Sequence, residues 1–303
     1  MQVSGSWDAE LLVVGAGPAG VAAAVMASSL RMKALVVEAD QVGSKLRAIG
    51  SLENVPGGWS AGPALAEAMA SDLARHQELG RVTVLRGCAA RVVGRDDRAE
   101  VVLDDGRVLA AGAVVVATGV TTLSPADVPW ISAPAAAWLP PLWRAAAGEL
   151  EGRRVVVLGA DRPLGTWLRA HPTARVQFDV LFPAGDRYKT DEVGEERRLR
   201  LDEVTSVGVA PAPNGFRITA AHAGGGTHSF VVDAVLTNMG SKPAALDGLV
   251  VGGDGYCPPD DQHPRVLVAG DLKGSRMQRI AVAMGDGSRA ALEPYYQART
   301  VAG

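Results

Sequence analysis

Short apolar runs closed by glycine set the rhythm of this chain. Leu11–Val14 is fully apolar and ends at glycines, the pattern of a strand buried on both faces in a parallel sheet. The alanine-rich stretch Pro18–Leu30 predicts a helix, and Ala34–Glu38 predicts a second strand, so the opening segment reads as a βαβ unit. Gly62–Leu79 carries Leu65, Met69 and Leu73 on one helical face. Val82–Leu85, Ala89–Val93, Glu100–Leu103 and Arg107–Leu109 are strand-sized, with turn signals at Asp96-Asp97 and Asp105-Gly106, and predict a small antiparallel meander. Val114–Ala117 is another buried strand.

The composition then shifts. Thr121–Leu150 is rich in Pro and Ala and carries Trp130, Trp138 and Trp143, which marks a crossover into a second domain. Arg154–Leu158 starts that domain, followed by a short helix from Leu164 that His171-Pro172 stops. Val176–Phe182, Val204–Val209, Phe216–Ala220 and Val231–Asn238 complete it as strands, and the charged run Asp191–Glu203 reads as a solvated helix face. Ser241–Pro243 returns the chain, Val266–Ala269 is the last strand and Ile280–Tyr296 the last helix. This divides the chain into a discontinuous domain, 1–120 and 241–303, and an insert, 121–240.

Size and charge narrow the function classes. A chain of 303 residues can bury two cores, and 48% hydrophobic with 21% charged residues fits a globular protein. A net charge of −3 gives no pull toward nucleic acid or an anionic membrane. MQVSGSWDAE lacks the features of a signal peptide, and no apolar run is long enough for a membrane span. Two cysteines, Cys88 and Cys257, fit a cytoplasmic protein without a disulfide framework.

The chemistry concentrates at glycines. Gly15, Gly17 and Gly20, with Pro18 and Ala19 between, form G-x-G-x-x-G between a strand and a helix. Gly15 permits the tight turn, Gly17 lets a pyrophosphate approach the backbone, and Gly20 lets helix and strand pack closely. The helix N-terminus faces the phosphates, and Glu38 at the end of the second strand can accept hydrogen bonds from a ribose.

Further segments follow in a fixed order: Gly43-Ser44-Lys45-Leu46 with Glu53-Asn54-Val55-Pro56-Gly57, then Ala117-Thr118-Gly119, then Ala269-Gly270-Asp271, then Gln278-Arg279-Ile280. Together with the glycine turn they resemble the low-molecular-weight thioredoxin reductases of the pyridine nucleotide-disulfide oxidoreductase superfamily. The resemblance is close over the outer parts of the chain and only in outline over the middle third. It implies a two-domain α/β protein, a Rossmann-type FAD domain with an inserted, degenerate nucleotide-binding domain, and a homodimer. By the same resemblance Lys45 and Asn54 face the flavin ring, and Leu46, Ala117, Thr118, Gly119 and Gly270 close on FAD. Ala89, next to Cys88, lies near the adenine end. Asp271 binds the ribityl chain, and Gln278, Arg279 and Ile280 open a helix beside the pyrimidine edge of the ring, where its dipole stabilises negative charge. Lys45, Asn54 and Arg279 are the candidate catalytic residues.

The departures from that family carry the functional reading. Where the family has C-x-x-C this chain has Leu142-Trp143-Arg144-Ala145. Its second glycine turn reads Gly159-Ala160-Asp161-Arg162-Pro163-Leu164-Gly165, with Asp161 where pyrophosphate would approach and where its charge repels phosphate. Past the next strand, Asp186 stands where basic residues would hold NADPH, with Arg187 as the single compensating charge. These features point to an FAD-dependent oxidase of a small molecule, a thiol, a dithiol or a planar aromatic for which the three tryptophans could form a wall. The alternatives are a reductase fed by a ferredoxin or carrier protein, and a non-catalytic flavin-binding partner protein. The five histidines fall in no catalytic or metal-ligand spacing, with His263 an outside candidate, and no metal is expected.

Overall fold

The computed structural model describes residues 8–300 except 136–138, 192 and 194. In chain order the elements begin with β1 (Ala9–Val14), α1 (Pro18–Ser29), β2 (Ala34–Glu38), α2 (Gly62–Glu78), β3 (Val82–Arg86), β4 (Ala89–Gly94), β5 (Ala99–Leu103) and β6 (Val108–Val116). They continue with β7 (Val120–Thr122), β8 (Ile131–Ser132), α3 (Ala147–Leu150), β9 (Arg154–Leu158), α4 (Pro163–Ala170) and β10 (Gln177–Phe182). Then come β11 (Leu199–Glu203), β12 (Ser206–Ala212), β13 (Gly215–Ala221), β14 (Thr227–Val232), β15 (Ala234–Thr237), β16 (Ser241–Pro243), β17 (Val266–Val268) and α5 (Ile280–Thr300). The chain divides into two compact units. The first comprises the chain up to Arg47, Leu52–Thr121 and the chain from Pro243 onward; the second comprises Ala48–Ser51 and Thr122–Lys242.

The first unit is built on a seven-stranded sheet in the order β3-β2-β1-β6-β5-β4, with β17 also paired to β6. β3, β2, β1, β6 and β17 run parallel, and β4-β5-β6 antiparallel. Residues Leu11–Val14 are almost inaccessible, as a strand between two parallel neighbours requires. Helix α1 buries Ala19, Gly20, Val21, Ala23, Ala24 and Ala27, because the sheet covers one side and α5 the other. Its small residues allow that double approach. A Cβ at Gly20 would stand 1.8 Å from the Gly15 carbonyl oxygen, and one at Gly287 of α5 would stand 1.8 Å from the carbonyl of Ala19.

The second unit holds a parallel sheet, β11-β10-β9-β15, and a second sheet, β14-β13-β12-β8. Trp167, Phe178 and Leu142 lie in the core on one side of the parallel sheet, and Leu158, Leu181 and Ile218 on the other. Among the described residues, no helix is long and apolar enough to cross a membrane.

Four expectations need correction. Val82–Leu85 belongs to no antiparallel meander: β3 pairs parallel with β2, because the 17-residue helix α2 supplies the crossover that parallel pairing needs. Arg107–Leu109 and Val114–Ala117 are one strand, β6, whose first half pairs with β5 and whose second half pairs with β17. Among its described residues, the run Asp191–Glu203 forms no helix. It ends as β11, with Leu199 and Leu201 packed at strand period against the core of the second unit. Val231–Asn238 breaks into β14 and β15 of different sheets at Asp233, whose carboxylate accepts the Arg154 N–H at 2.8 Å.

Gly287→Ala should test the α1–α5 approach. Forcing a methyl against the Ala19 carbonyl is expected to cost about 1–3 kcal/mol, read as a lower urea midpoint with an unchanged slope. A midpoint equal to wild type would mean that the helices are not packed at that distance.

Candidate functional site

The candidate residues gather at the carboxyl ends of the parallel strands of the first unit, where open α/β sheets bind ligands. β1 runs into Gly15-Ala16-Gly17, β2 ends at Glu38, β6 runs into Ala117-Thr118-Gly119, and β17 runs into Ala269-Gly270-Asp271. Backbone hydrogen bonds knit these turns. Gly15 N–H donates to Val37, Ala117 N–H to Val14, Ala269 N–H to Val116, and Gly43 N–H to Ala16, at 2.8–3.0 Å. Gly15 has φ +96°, and a Cβ on it would stand 2.6 Å from the Ala117 carbonyl oxygen, so the first and third motifs meet there.

Whether a dinucleotide fits this cradle can be judged from the backbone. A Cβ at Gly17 would meet no atom within 4 Å, so the space over this Cα is open. No side chain caps α1 and no acidic residue lies in its first turn. Its terminal N–H groups are thus left for an anion from outside the helix. The residues fit a pyrophosphate. Glu38 has a second job: its carboxylate accepts the Ala16 N–H at 2.5 Å and the Asp40 N–H at 2.8 Å, which braces the glycine turn and leaves lone pairs for a ribose.

Charge is concentrated beside the cradle. Lys45 leaves its stem exposed and donates from Nζ to the Val120 carbonyl oxygen. Desolvation of that ammonium pushes its pKa below the usual lysine range, against the opposing pull of Asp271. Burial pushes the Asp271 carboxyl above the usual range, with Lys45 and Arg279 pulling it down and Asp286 adding to the rise. Asp286 is itself paired with Lys273 at 2.7 Å. Asp271 therefore lies within electrostatic reach of both Lys45 and Arg279.

The other candidates fall as follows. Thr118 Oγ1 donates to the Ala244 carbonyl at 2.7 Å, and Gly119 has φ +66°. Gly270 lies against Ala19, and Leu46 is buried. The Gln278 amide donates to the Gly274 and Asp271 carbonyls and to the Tyr256 hydroxyl, so it holds the turn that leads into α5 at Ile280. Asn54 is exposed in its loop, and Ala89 opens β4. Cys88 is exposed, and burial with the neighbouring Asp254 raises the thiol pKa of Cys257.

In the second unit, Leu142 of the Leu142–Ala145 segment is fully buried core, and Trp143 Nε1 donates to Thr122 Oγ1 at 3.1 Å. Trp130 packs against the core of this unit, and Trp138 lies outside the described residues. The second glycine turn keeps its strand and its positive φ at Gly159, +95°. Asp161 follows, its backbone held by buried Asn238. Arg187 is spent on Glu203 at 2.6 Å. Lys189, unmarked by any sequence motif, lies 3.8 Å from Asp161 and 2.9 Å from Asp186. It sits in a short 3-10 helix whose fold brings i and i+3 together. His263 packs on Gly94 and accepts the Arg265 N–H, and His76 bonds buried Ser28.

No family model matches the chain. The thioredoxin reductase of Lactococcus lactis in its FR conformation superposes with a TM-score of 0.79 at 18% identity, over 95% of this chain and 98% of that one. That of T. acidophilum superposes with a TM-score of 0.75 at 18% identity, over 96% and 98%. The chain has the thioredoxin reductase fold. Among curated sequences it is 27% identical over 308 residues to an NADH dehydrogenase of Ferdinandcohnia aciditolerans, which covers 93% of this chain and 56% of that protein. It is also 27% identical over 311 residues to a subunit of the alkyl hydroperoxide reductase of Xanthomonas campestris pv. phaseoli, covering 94% and 56%. The chain thus spans just over half the length of these relatives. Within the thioredoxin reductase fold, the space over Gly17 of the first glycine turn is open, and the second turn carries Asp161, which with Asp186 flanks Lys189.

Two outcomes test the site. Gly17→Ala should keep stability within about 0.5 kcal/mol, since its Cβ meets nothing, yet lose most bound dinucleotide as read from the absorbance of the purified protein. Full retention would remove Gly17 from the cradle. In cofactor-free protein, the raised Asp271 carboxyl binds its proton more tightly folded than unfolded, so its contribution is complete below pH 3.8 and is lost as pH rises through the folded value. Asp271→Asn should therefore gain on wild type in urea midpoint as pH rises from about 4 toward neutrality. A pH-independent difference would contradict the desolvation of Asp271.

Proposed function

We propose that this chain is an FAD-dependent oxidoreductase in which a small thiol, dithiol or planar aromatic substrate reduces the flavin directly and dioxygen reoxidises it, without NADPH. FAD, when bound, supplies a two-electron centre that accepts an electron pair from the substrate and passes it to dioxygen as hydrogen peroxide. For a thiol the balance is two thiols and one dioxygen to one disulfide and one hydrogen peroxide.

The residues of the first unit have defined tasks. Gly15, Gly17 and Gly20 let the pyrophosphate approach the backbone, the α1 terminus neutralises it, and Glu38 holds the turn and meets the ribose. Asp271 meets the ribityl hydroxyls, which give its desolvated carboxylate the donors that the described residues do not supply. Lys45, Arg279 and the α5 terminus provide positive charge at the edge of the ring that becomes anionic on reduction. The chain works as a homodimer on a freely diffusing substrate.

The observation that carries the reading is the second glycine turn. The resemblance puts Asp161 where a pyrophosphate would approach and Asp186 where basic residues would hold NADPH. These two carboxylates share the single cation Lys189, at 3.8 and 2.9 Å, which leaves one net negative charge in the group. The absence of a C-x-x-C among these 303 residues removes the usual internal relay to a disulfide substrate. The names of the curated relatives favour a nicotinamide as the contrary outcome, and the test includes it.

Anaerobic mixing of the FAD-loaded chain with dithiols, NADPH, NADH and reduced ferredoxin in parallel separates the readings. The expected outcome is bleaching by a dithiol or aromatic substrate and recovery in air with one peroxide per cycle. Rapid bleaching by NADPH or NADH, or by ferredoxin alone, would sink the proposal.

A further inference from the structure

The second unit contains a cluster far in sequence from the motifs discussed so far. Asp202 lies on β11 of the parallel sheet, whereas His222 and His228 flank the turn between β13 and β14 of the other sheet. One ligand atom from each falls within 4.8 Å of the other two. No spacing motif marks these histidines; the hairpin and the sheet-to-sheet contact unite them with Asp202.

The geometry of the pair is specific. His222 Nδ1 lies 3.0 Å from the Glu203 carbonyl oxygen, a backbone acceptor that fixes the proton on Nδ1 and leaves the lone pair on Nε2. That Nε2 lies 3.0 Å from His228 Nδ1. The ring centroids are 5.0 Å apart and the planes differ by 11°, so with nitrogens this close the rings meet edge to edge. Phe230 stacks on the far side of His228, 5.4 Å away, and limits where that ring can go. Asp202 faces the other nitrogen of each ring, with Oδ1 3.6 Å from His222 Nδ1 and Oδ2 4.0 Å from His228 Nε2. Since one ligand atom of each residue lies within 4.8 Å of the other two, a turn of the carboxylate and rings completes the set.

We propose that Asp202, His222 and His228 bind a divalent transition metal of the zinc class and that the ion clips the two sheets of the second unit together. Two imidazoles and one carboxylate are a donor set for such ions and a poor one for calcium or magnesium. Zinc–nitrogen bonds of about 2.0–2.1 Å put two tetrahedral nitrogens about 3.4 Å apart, so the 3.0 Å pair must open by only a few tenths of an ångström. All three side chains are partly exposed, His228 most, at 47%. An ion can therefore enter from solvent and keep water on its remaining positions.

Equilibrium dialysis of the full chain against Zn²⁺ at neutral pH, with bound metal counted by elemental mass spectrometry, tests this. The expected result is about one zinc per chain, with affinity at least about tenfold weaker in His222→Ala, His228→Gln and Asp202→Asn. Zinc should raise the thermal midpoint of wild type and not of the variants, whose midpoints in chelator report on folding. Should one histidine variant fail to fold, the conservative Asp202→Asn carries the test. Zinc binding by wild type no tighter than by the His222→Ala, His228→Gln double variant, or equal binding by Asp202→Asn, would overturn the site.

Discussion

The approach of α1 to its neighbours is the constraint on which the rest depends. Gly20 touches the Gly15 carbonyl and Gly287 touches the Ala19 carbonyl at distances that no Cβ allows. These contacts press the N-terminus of α1 into the turn after β1 and hold α5 against its other side. They place the glycine turn, the Ala117–Gly119 turn and the Gly270–Asp271 turn around one opening. A bulkier helix would still bury apolar surface, yet it would carry its N–H groups away from the phosphate position.

The charges beside that opening make sense in the same terms. Asp271 and Lys45 are both partly desolvated, and burial moves each pKa toward the neutral form despite their mutual attraction. Such groups weaken the empty fold and gain partners when a polyhydroxy, anionic cofactor binds. Arg198 offers a contrast: its guanidinium is satisfied by Glu196 and by the Leu168 and His171 carbonyls, and the Glu196 carboxyl is pulled down to about 2. That network braces β11 and has no ligand to wait for.

Much of the fold was legible because its signals are local. β1, α1 and β2 follow from an apolar run, a glycine turn and an alanine-rich helix, each within a few residues of its expected bounds. What the sequence did not reveal depends on pairing at a distance. β3 reads as a meander strand until α2 is recognised as a crossover, and β11 reads as a charged helix until Leu199 and Leu201 find the second core. The same holds for side chains. Glycines declare the cradle, but nothing in the order of residues announces that Glu38 braces Ala16, that Gln278 turns back on Gly274, or that Lys189 reaches Asp161.

The two glycine turns differ in one respect: the space over Gly17 in the first is open, whereas the second carries Asp161, 3.8 Å from Lys189. Equilibrium titration of the FAD-loaded chain with NADPH and NADH, followed by fluorescence, measures that contrast most directly. The expected result is stoichiometric FAD and no saturable nicotinamide binding up to about 1 mM, a free energy weaker than about 4 kcal/mol. A micromolar dissociation constant for either nicotinamide would contradict it.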